Sequence, residues 1–280
     1  MTILVTGARG RVGAAVVRGL LAAGEKVRAA SADPASVTGL PDEVERIRLD
    51  LSSPEGLHEA LHGVQKIFLY AQPAGAVRLT QAAAVAGVGH IVLLSSLAID
   101  TTHGAATSPI AQQHVLVENV LRASGLGWTF VRPGGFATNA LQWAQDIRAG
   151  RPLRLAYPET YSEPVHEADV AAVAVRALLD EASRGATLRI TGPQSLTARR
   201  QAELVAAAAG REVRVRLITP EEYREQLTAF VPAQVADTLV GYQAARDGRP
   251  QKTFDDVRTV LGRPAFSFAQ WAKENAAAFS

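Results

Sequence analysis

Hydrophobic positions in the first half of the chain fall into short runs that alternate with stretches of helical spacing. Ile3-Leu4-Val5 is followed by Val12, Val16 and Leu20 on one helical face, then by Lys26-Val27-Arg28-Ala29-Ala30. Residues 44–49 alternate in strand fashion up to Asp50, and Leu57 and Leu61 mark a helix closed by Gly63. Ile67-Phe68-Leu69-Tyr70 and His90-Ile91-Val92-Leu93-Leu94 read as a fourth and a fifth strand on either side of a helix over 77–86. A sixth strand over 128–131 ends at Arg132-Pro133-Gly134-Gly135. Alternation at this pitch implies βαβ units and a parallel sheet. Strands that are apolar throughout, such as 91–94, imply a sheet covered on both faces. The expected fold is α/β, a doubly wound parallel sheet.

Beyond residue 150 the rhythm loosens, and residues 151–166 carry three prolines and two tyrosines without a clear period. Helices are expected at 167–180, 198–209, 220–228, 233–245 and 267–278, with strands at 187–191 and 213–218. The expected organisation is a sheet domain over 1–150 and a smaller α/β lobe over 151–280, at the carboxyl side of the sheet and interwoven with it.

Composition narrows the function classes. The chain has 280 residues, 48% hydrophobic and 20% charged, and no cysteine. That excludes a thiol nucleophile, a disulfide scaffold and any cysteine-bound metal. Twenty-nine basic against 27 acidic residues leave a net charge of +2, too even for a nucleic-acid face. Met1-Thr-Ile-Leu-Val lacks a basic leader, and no run reaches the ~18 apolar residues of a membrane span. A cytoplasmic protein with no membrane partner is expected.

Thr6-Gly7-Ala8-Arg9-Gly10-Arg11-Val12-Gly13 lies where the first strand meets the first helix. In that context Gly7 permits a tight turn, Gly10 admits a pyrophosphate to the backbone amides, and Gly13 lets the helix pack on the strand. The helix N-terminus then offers free N–H groups and a dipole to the anion. An acid after the second strand would bond the ribose 2′-hydroxyl, whereas a cation would hold a 2′-phosphate. Here the chain has Ala30-Ser31-Ala32-Asp33-Pro34, with Asp33 in turn context, and Arg9 stands in the loop as the candidate partner of Ser31 around a phosphate. Arg9 as a plain solvated cation is the other reading.

The Gly-x-x-Gly-x-x-Gly spacing led by Thr-Gly-Ala resembles the short-chain dehydrogenase/reductase superfamily, whose sheet is Rossmann-like. Most members carry Tyr-x-x-x-Lys on the helix after the fifth strand, the lysine holding the nicotinamide ribose; here His114 and Glu118 occupy those positions. Ser95-Ser96-Leu97, His114-x-x-x-Glu118, Ser124-Gly125-x-x-Trp128-Thr129, Arg132-Pro133-Gly134 and Asn139 together resemble the atypical NmrA-like group, nearest its bacterial NAD(P)H:quinone oxidoreductase type. The likeness runs on through Thr191-Gly192-Pro193 and Leu261-Gly262-Arg263-Pro264.

This resemblance implies an NADPH-dependent reductase, NADH being the second choice, acting on a quinone or an activated aromatic ketone. It assigns the cofactor to Gly7, Ala8, Arg9, Gly10, Arg11, Val12 and Ser31, to Asp50 and Leu51 at the adenine, to Tyr70, Ala71 and Gln72, and to Pro133, Gly135 and Phe136 beside the nicotinamide. Without a ligand, Asp50 would only cap a turn. His114, oriented and charged by Glu118 one turn on, and Ser96 are the candidate catalytic groups; a purely structural His–Glu pair and a capping hydroxyl are the alternatives. Phe136, Asn139, Trp143 and Tyr161 are candidate substrate walls. His166-Glu167-x-Asp169 reads as a helix cap and not as a metal site. Some NmrA-like proteins are non-catalytic redox sensors that bind dinucleotide and regulate a protein partner, and the missing Tyr-x-x-x-Lys fits that alternative. A homodimer is compatible with either.

Overall fold

The computed structural model describes residues 1–100 and 108–280. In chain order the first half holds β1 (Thr2–Thr6), α1 (Arg11–Ala22), β2 (Lys26–Ser31), β3 (Glu45–Arg48), α2 (Leu57–Leu61), β4 (Lys66–Tyr70), α3 (Ala76–Val85), β5 (His90–Leu94), α4 (Pro109–Ala123), β6 (Gly127–Pro133) and α5 (Ala144–Arg148). The second half holds β7 (Leu153–Leu155), β8 (Tyr161–Ser162), α6 (Glu167–Leu179), β9 (Thr187–Ile190), β10 (Leu196–Thr197), α7 (Ala198–Ala208), β11 (Val215–Leu217), α8 (Pro220–Thr228), α9 (Ala233–Arg246), α10 (Asp256–Leu261) and α11 (Phe268–Glu274).

Seven strands form one parallel sheet in the order β3-β2-β1-β4-β5-β6-β9. Successive side chains of a strand point to opposite faces, and the core divides accordingly. Ile3, Val5, Phe68, Val92 and Val131 pack with Val16 and Leu20 of α1 and Val170 and Val173 of α6. Leu4, Ile67, Leu69, Ile91, Leu93 and Phe130 pack on the other side with Leu57 and Leu61 of α2, Leu79 of α3, and Val117 and Leu121 of α4. The chain winds outward from β1 to β3, then returns to β4 on the far side of β1. That reversal opens a crevice at the strands' carboxyl ends between β1 and β4. Among the described residues no helix is long and apolar enough to cross a membrane.

Past residue 150 the chain contributes to both bodies. Helix α6 packs on α1, and β9 extends the sheet beside β6. Helices α7 and α11 gather, together with residues 137–147, around a separate core of Trp271, Phe268, Phe279, Val205, Ala202 and Ala140, whereas Val257 of α10 packs with the sheet. The motif at the start of α6 ties the two together. His166 caps the helix through Nδ1, which accepts from the Ala168 amide at 3.1 Å, while its Nε2 lies 2.9 Å from Glu274. Asp169, fully buried, accepts from the Phe266 amide at 2.7 Å and lies 2.7 Å from Arg263. The expected strand at 213–218 is shorter, pairing only as β11 with β7. The helix expected over 267–278 ends at Glu274 and passes into a separate 3-10 turn.

The amino ends of the strands carry a buried polar lock. The Lys66 ammonium donates to the Leu178 carbonyl at 2.7 Å and to Glu181 at 2.9 Å. His90 Nε2 meets Thr129 Oγ1 at 2.9 Å, and Thr129 donates to the Ser183 carbonyl. Burial pushes the His90 imidazole down to about 4.

Candidate functional site

The glycine loop turns on Gly7, which has φ of +64°, a conformation that disfavours any side chain. The Gly10 amide donates to the Gly7 carbonyl at 2.9 Å and closes the turn. Gly13 sits so close to the loop that a Cβ there would fall 2.3 Å from the Gly7 carbonyl oxygen. No side chain caps α1, so its first amides remain available to an anion. Thr6 stitches the crevice open, its hydroxyl donating to the Phe68 carbonyl and accepting from the Tyr70 amide at 2.7 Å.

A cleft of about 740 Å³ runs across these strand ends. Its wall brings together Gly7, Arg9, Gly10, Arg11, Val12, Ser31, Asp50, Leu51, Tyr70, Gln72 and Phe136. Ala8 faces the core instead and is 1% exposed, and Ala71, Pro133 and Gly135 adjoin the wall without lining it. Ser31 Oγ accepts from the Asp33 amide, and Asp33 in turn caps Ala35, as suits a turn residue. Asp50 accepts from the Ser52 amide and hydroxyl at 2.9 and 2.6 Å, and those bonds hold its carboxyl below the usual range. The capping role read for Asp50 is therefore present, and the same residue also faces the cleft.

The wall also includes Thr138, Leu94 and Glu167, which sequence reasoning did not assign to it. Thr138 lies between two residues already singled out, and Glu167 belongs to the motif read only as a helix cap. Leu94 ends β5, while Thr138 and Glu167 come together only because the segment after β6 bridges to the one before α6.

The expected His114–Glu118 pair does not form. Glu118 is fully buried and accepts from Ser95 Oγ at 2.6 Å, Arg132 Nε and Nη2 at 2.9 and 2.7 Å, and Arg122 Nη2 at 2.8 Å. Burial alone would raise its pKa, but the Arg132 and Ser95 hydrogen bonds and the arginine charges hold it below the carboxylate range. Arg132 also pairs with Asp100. The planar guanidinium offers a two-point grip that an imidazole on the same helix cannot match, so the carboxylate turns to β6. His114 Nδ1 is buried without a hydrogen-bond partner. Burial lowers the pKa of the imidazole, with Glu118's charge opposing, so the neutral form is favoured and not the charged one. Neither His114 nor Ser96 lines the cleft; Ser96 Oγ accepts from the Ala98 amide as a cap.

The substrate candidates also separate. Phe136 lines the cleft. Asn139 is exposed, and its carbonyl accepts from the Gln142 side chain. Trp143 lines a second cleft of about 560 Å³ with Tyr223 and Phe230. Tyr161 lies in β8, opposite Thr197.

Set against known proteins, residues 7–181 match the family model described as NAD(P)H-binding. The chain belongs to the NAD(P)H-binding family. Membership agrees with the cradle at Gly7, Gly10 and Gly13, which added Cβ atoms at Gly7 and Gly13 would crowd. An NAD(P)H azoreductase of Xenophilus azovorans is 36% identical, the alignment covering 99% of each chain. A (4-alkanoyl-5-oxo-2,5-dihydrofuran-3-yl)methyl phosphate reductase of Streptomyces griseus is 35% identical, again over 99% of each. The fold matches that of an NADPH-dependent quinone oxidoreductase of Escherichia coli in complex with NADPH, with a TM-score of 0.83 and 22% identity over 98% of this chain and 99% of that one.

Proposed function

We propose that the protein is an NADPH-dependent oxidoreductase that reduces a quinone, an azo compound or an activated aromatic ketone. The observation that carries the reading is the single cleft joining the glycine loop to the apolar end formed by Leu94 and Phe136. The named activities of the two relatives at 35% and 36% identity support it. NADPH, when bound, supplies the hydride. Gly10 and the first amides of α1 hold its pyrophosphate, Arg9 and Ser31 its 2′-phosphate, and Asp50 and Leu51 its adenine. Phe136 and Leu94 would shield the ring from water at the apolar end of the cleft.

Helix α4 presents no proton donor to the cleft, because His114 and Ser96 lie off its wall and Glu118 is saturated. That favours acceptors whose reduced form is a stabilised anion, such as a hydroquinonate, and disfavours a simple ketone that would yield a basic alkoxide. The same vacancy is the one observation favouring a dinucleotide sensor without turnover.

The test is steady-state oxidation of NADPH and NADH against a panel of quinones, azo dyes and aromatic and aliphatic ketones. Turnover is expected with the first two classes and with NADPH ahead of NADH. Tight dinucleotide binding with no oxidation by any acceptor would overturn the enzyme in favour of the sensor.

A further inference from the structure

We infer that Glu167 holds the ribose on the nicotinamide side of the cofactor, an inference that rests on the dinucleotide reading above. Its place in the cleft follows from its neighbours. Val165, two residues before it, bridges in parallel to Phe136: its amide donates to the Gly135 carbonyl and its carbonyl accepts from the Ala137 amide, each at 2.9 Å. The start of α6 is thereby tied to the segment that flanks the ring. On its other side, Glu167 Oε1 lies 3.9 Å from Nη1 of Arg11, the first residue of α1 and part of the phosphate-facing loop. A carboxylate on the cleft wall between these two landmarks stands where a dinucleotide spans from pyrophosphate to ring, which is its second ribose.

The carboxylate is both fixed and available. Oε2 accepts from the indole Nε1 of Trp271 at 3.1 Å, and Trp271 is fully buried in the core of the second lobe. Oε1, by contrast, is beyond hydrogen-bond distance of Arg11 and keeps its lone pairs for the cleft. An ionised carboxylate is acceptor-only, so it repels a phosphate and suits a partner made of hydroxyl donors; the ribose diol is such a partner.

Calorimetric titration of the full chain with NADPH and with 2′,5′-ADP, which lacks the nicotinamide ribose, separates this role from a merely structural one. Glu167→Gln preserves the shape and an acceptor for Trp271 but removes the charge. NADPH binding is expected to weaken about tenfold, the worth of one hydrogen bond to a charged group, while 2′,5′-ADP binds as well as to the wild type. The KM for NADPH should rise by a similar factor with kcat little changed. Equal weakening of both ligands, or NADPH affinity unchanged, would overturn the assignment. Failure of the wild type to bind either ligand would overturn the dinucleotide reading itself, and this proposal with it.

Discussion

The glycine loop and the buried side-chain knot of α4 are built by opposite means. At the glycine loop the backbone does the work: Gly7 takes a left-handed turn, Gly10 closes it, and Gly13 lets α1 rest on it. On α4, side chains do it: Glu118 gathers Ser95, Arg122 and Arg132 from three elements into one buried knot. A backbone device depends on local sequence alone and tolerates no Cβ. A side-chain knot depends on which donors the fold delivers, so the same i,i+4 spacing serves either a catalytic pair or a structural brace. Substitutions in the two regions should therefore fail differently.

The largest effect is expected from Gly13→Val. Its Cβ would meet the Gly7 carbonyl oxygen at 2.3 Å and carbon at 2.8 Å, so loop or helix must move. Calorimetry should find NADPH affinity lowered by at least about a hundredfold, with a loss of several kcal/mol in urea unfolding, as overpacking against backbone implies. A folded variant with normal affinity would contradict the cradle.

Glu118→Leu comes next, because it takes two of the three carboxylate bonds from the buried Arg132 and leaves it only Asp100. Breaking a buried pair from one side costs about 3–5 kcal/mol, whereas replacing both members is far milder. The double variant Glu118→Leu with Arg132→Met should thus recover much of the loss in urea unfolding. Cofactor affinity in the double variant should stay near wild type, the reverse of the Gly13 result. A single variant as stable as wild type would remove the knot from the account.

His90 gives a pH signature of stability. Its folded pKa of about 4 lies below the ordinary 6.5, with burial the largest cause and the Arg184 and Lys66 charges adding to it. The stability it lends is fully present above about 6.5 and is lost as pH falls toward about 4, at up to about 1.4 kcal/mol per pH unit. Urea midpoints across that window should decline toward acid, and His90→Gln should flatten its share. A wild-type midpoint that rises toward acid would go against this.

The smallest effect is expected at His114. A general acid contributes roughly a hundredfold or more in rate, whereas His114→Ala should leave kcat within about twofold. The pH–rate profile of the wild type should show no limb from this imidazole, since it lies off the cleft wall. A loss of turnover with NADPH affinity intact would restore His114 as the proton donor.

Legibility follows the same division. Six strands and the helices between them were readable because apolar periodicity is a local record of two covered faces. The glycine loop was readable for the same reason, its three glycines answering to distances within one turn. The partner of Glu118 was not, since Arg132 and Ser95 arrive from strands that only the fold places beside α4. Glu167 shows the limit most clearly. The sequence marks it as a first-turn acid of a helix, while its bond to Trp271, 104 residues away, and its place in the cleft wall arise from long-range packing. Helices α5 and α10 are too short to show a period, and Trp143, a candidate substrate wall, packs at another cleft.

Hydride delivery from NADPH bound in this crevice to an acceptor is tested most directly by single-turnover oxidation of NADPH carrying deuterium at one or the other face of C4, mixed with a quinone or an azo dye. Rapid oxidation is expected, slowed by label on one face only, with that deuterium leaving the cofactor. Bound NADPH that stays reduced before every acceptor, or loses hydride equally from both faces, would contradict it.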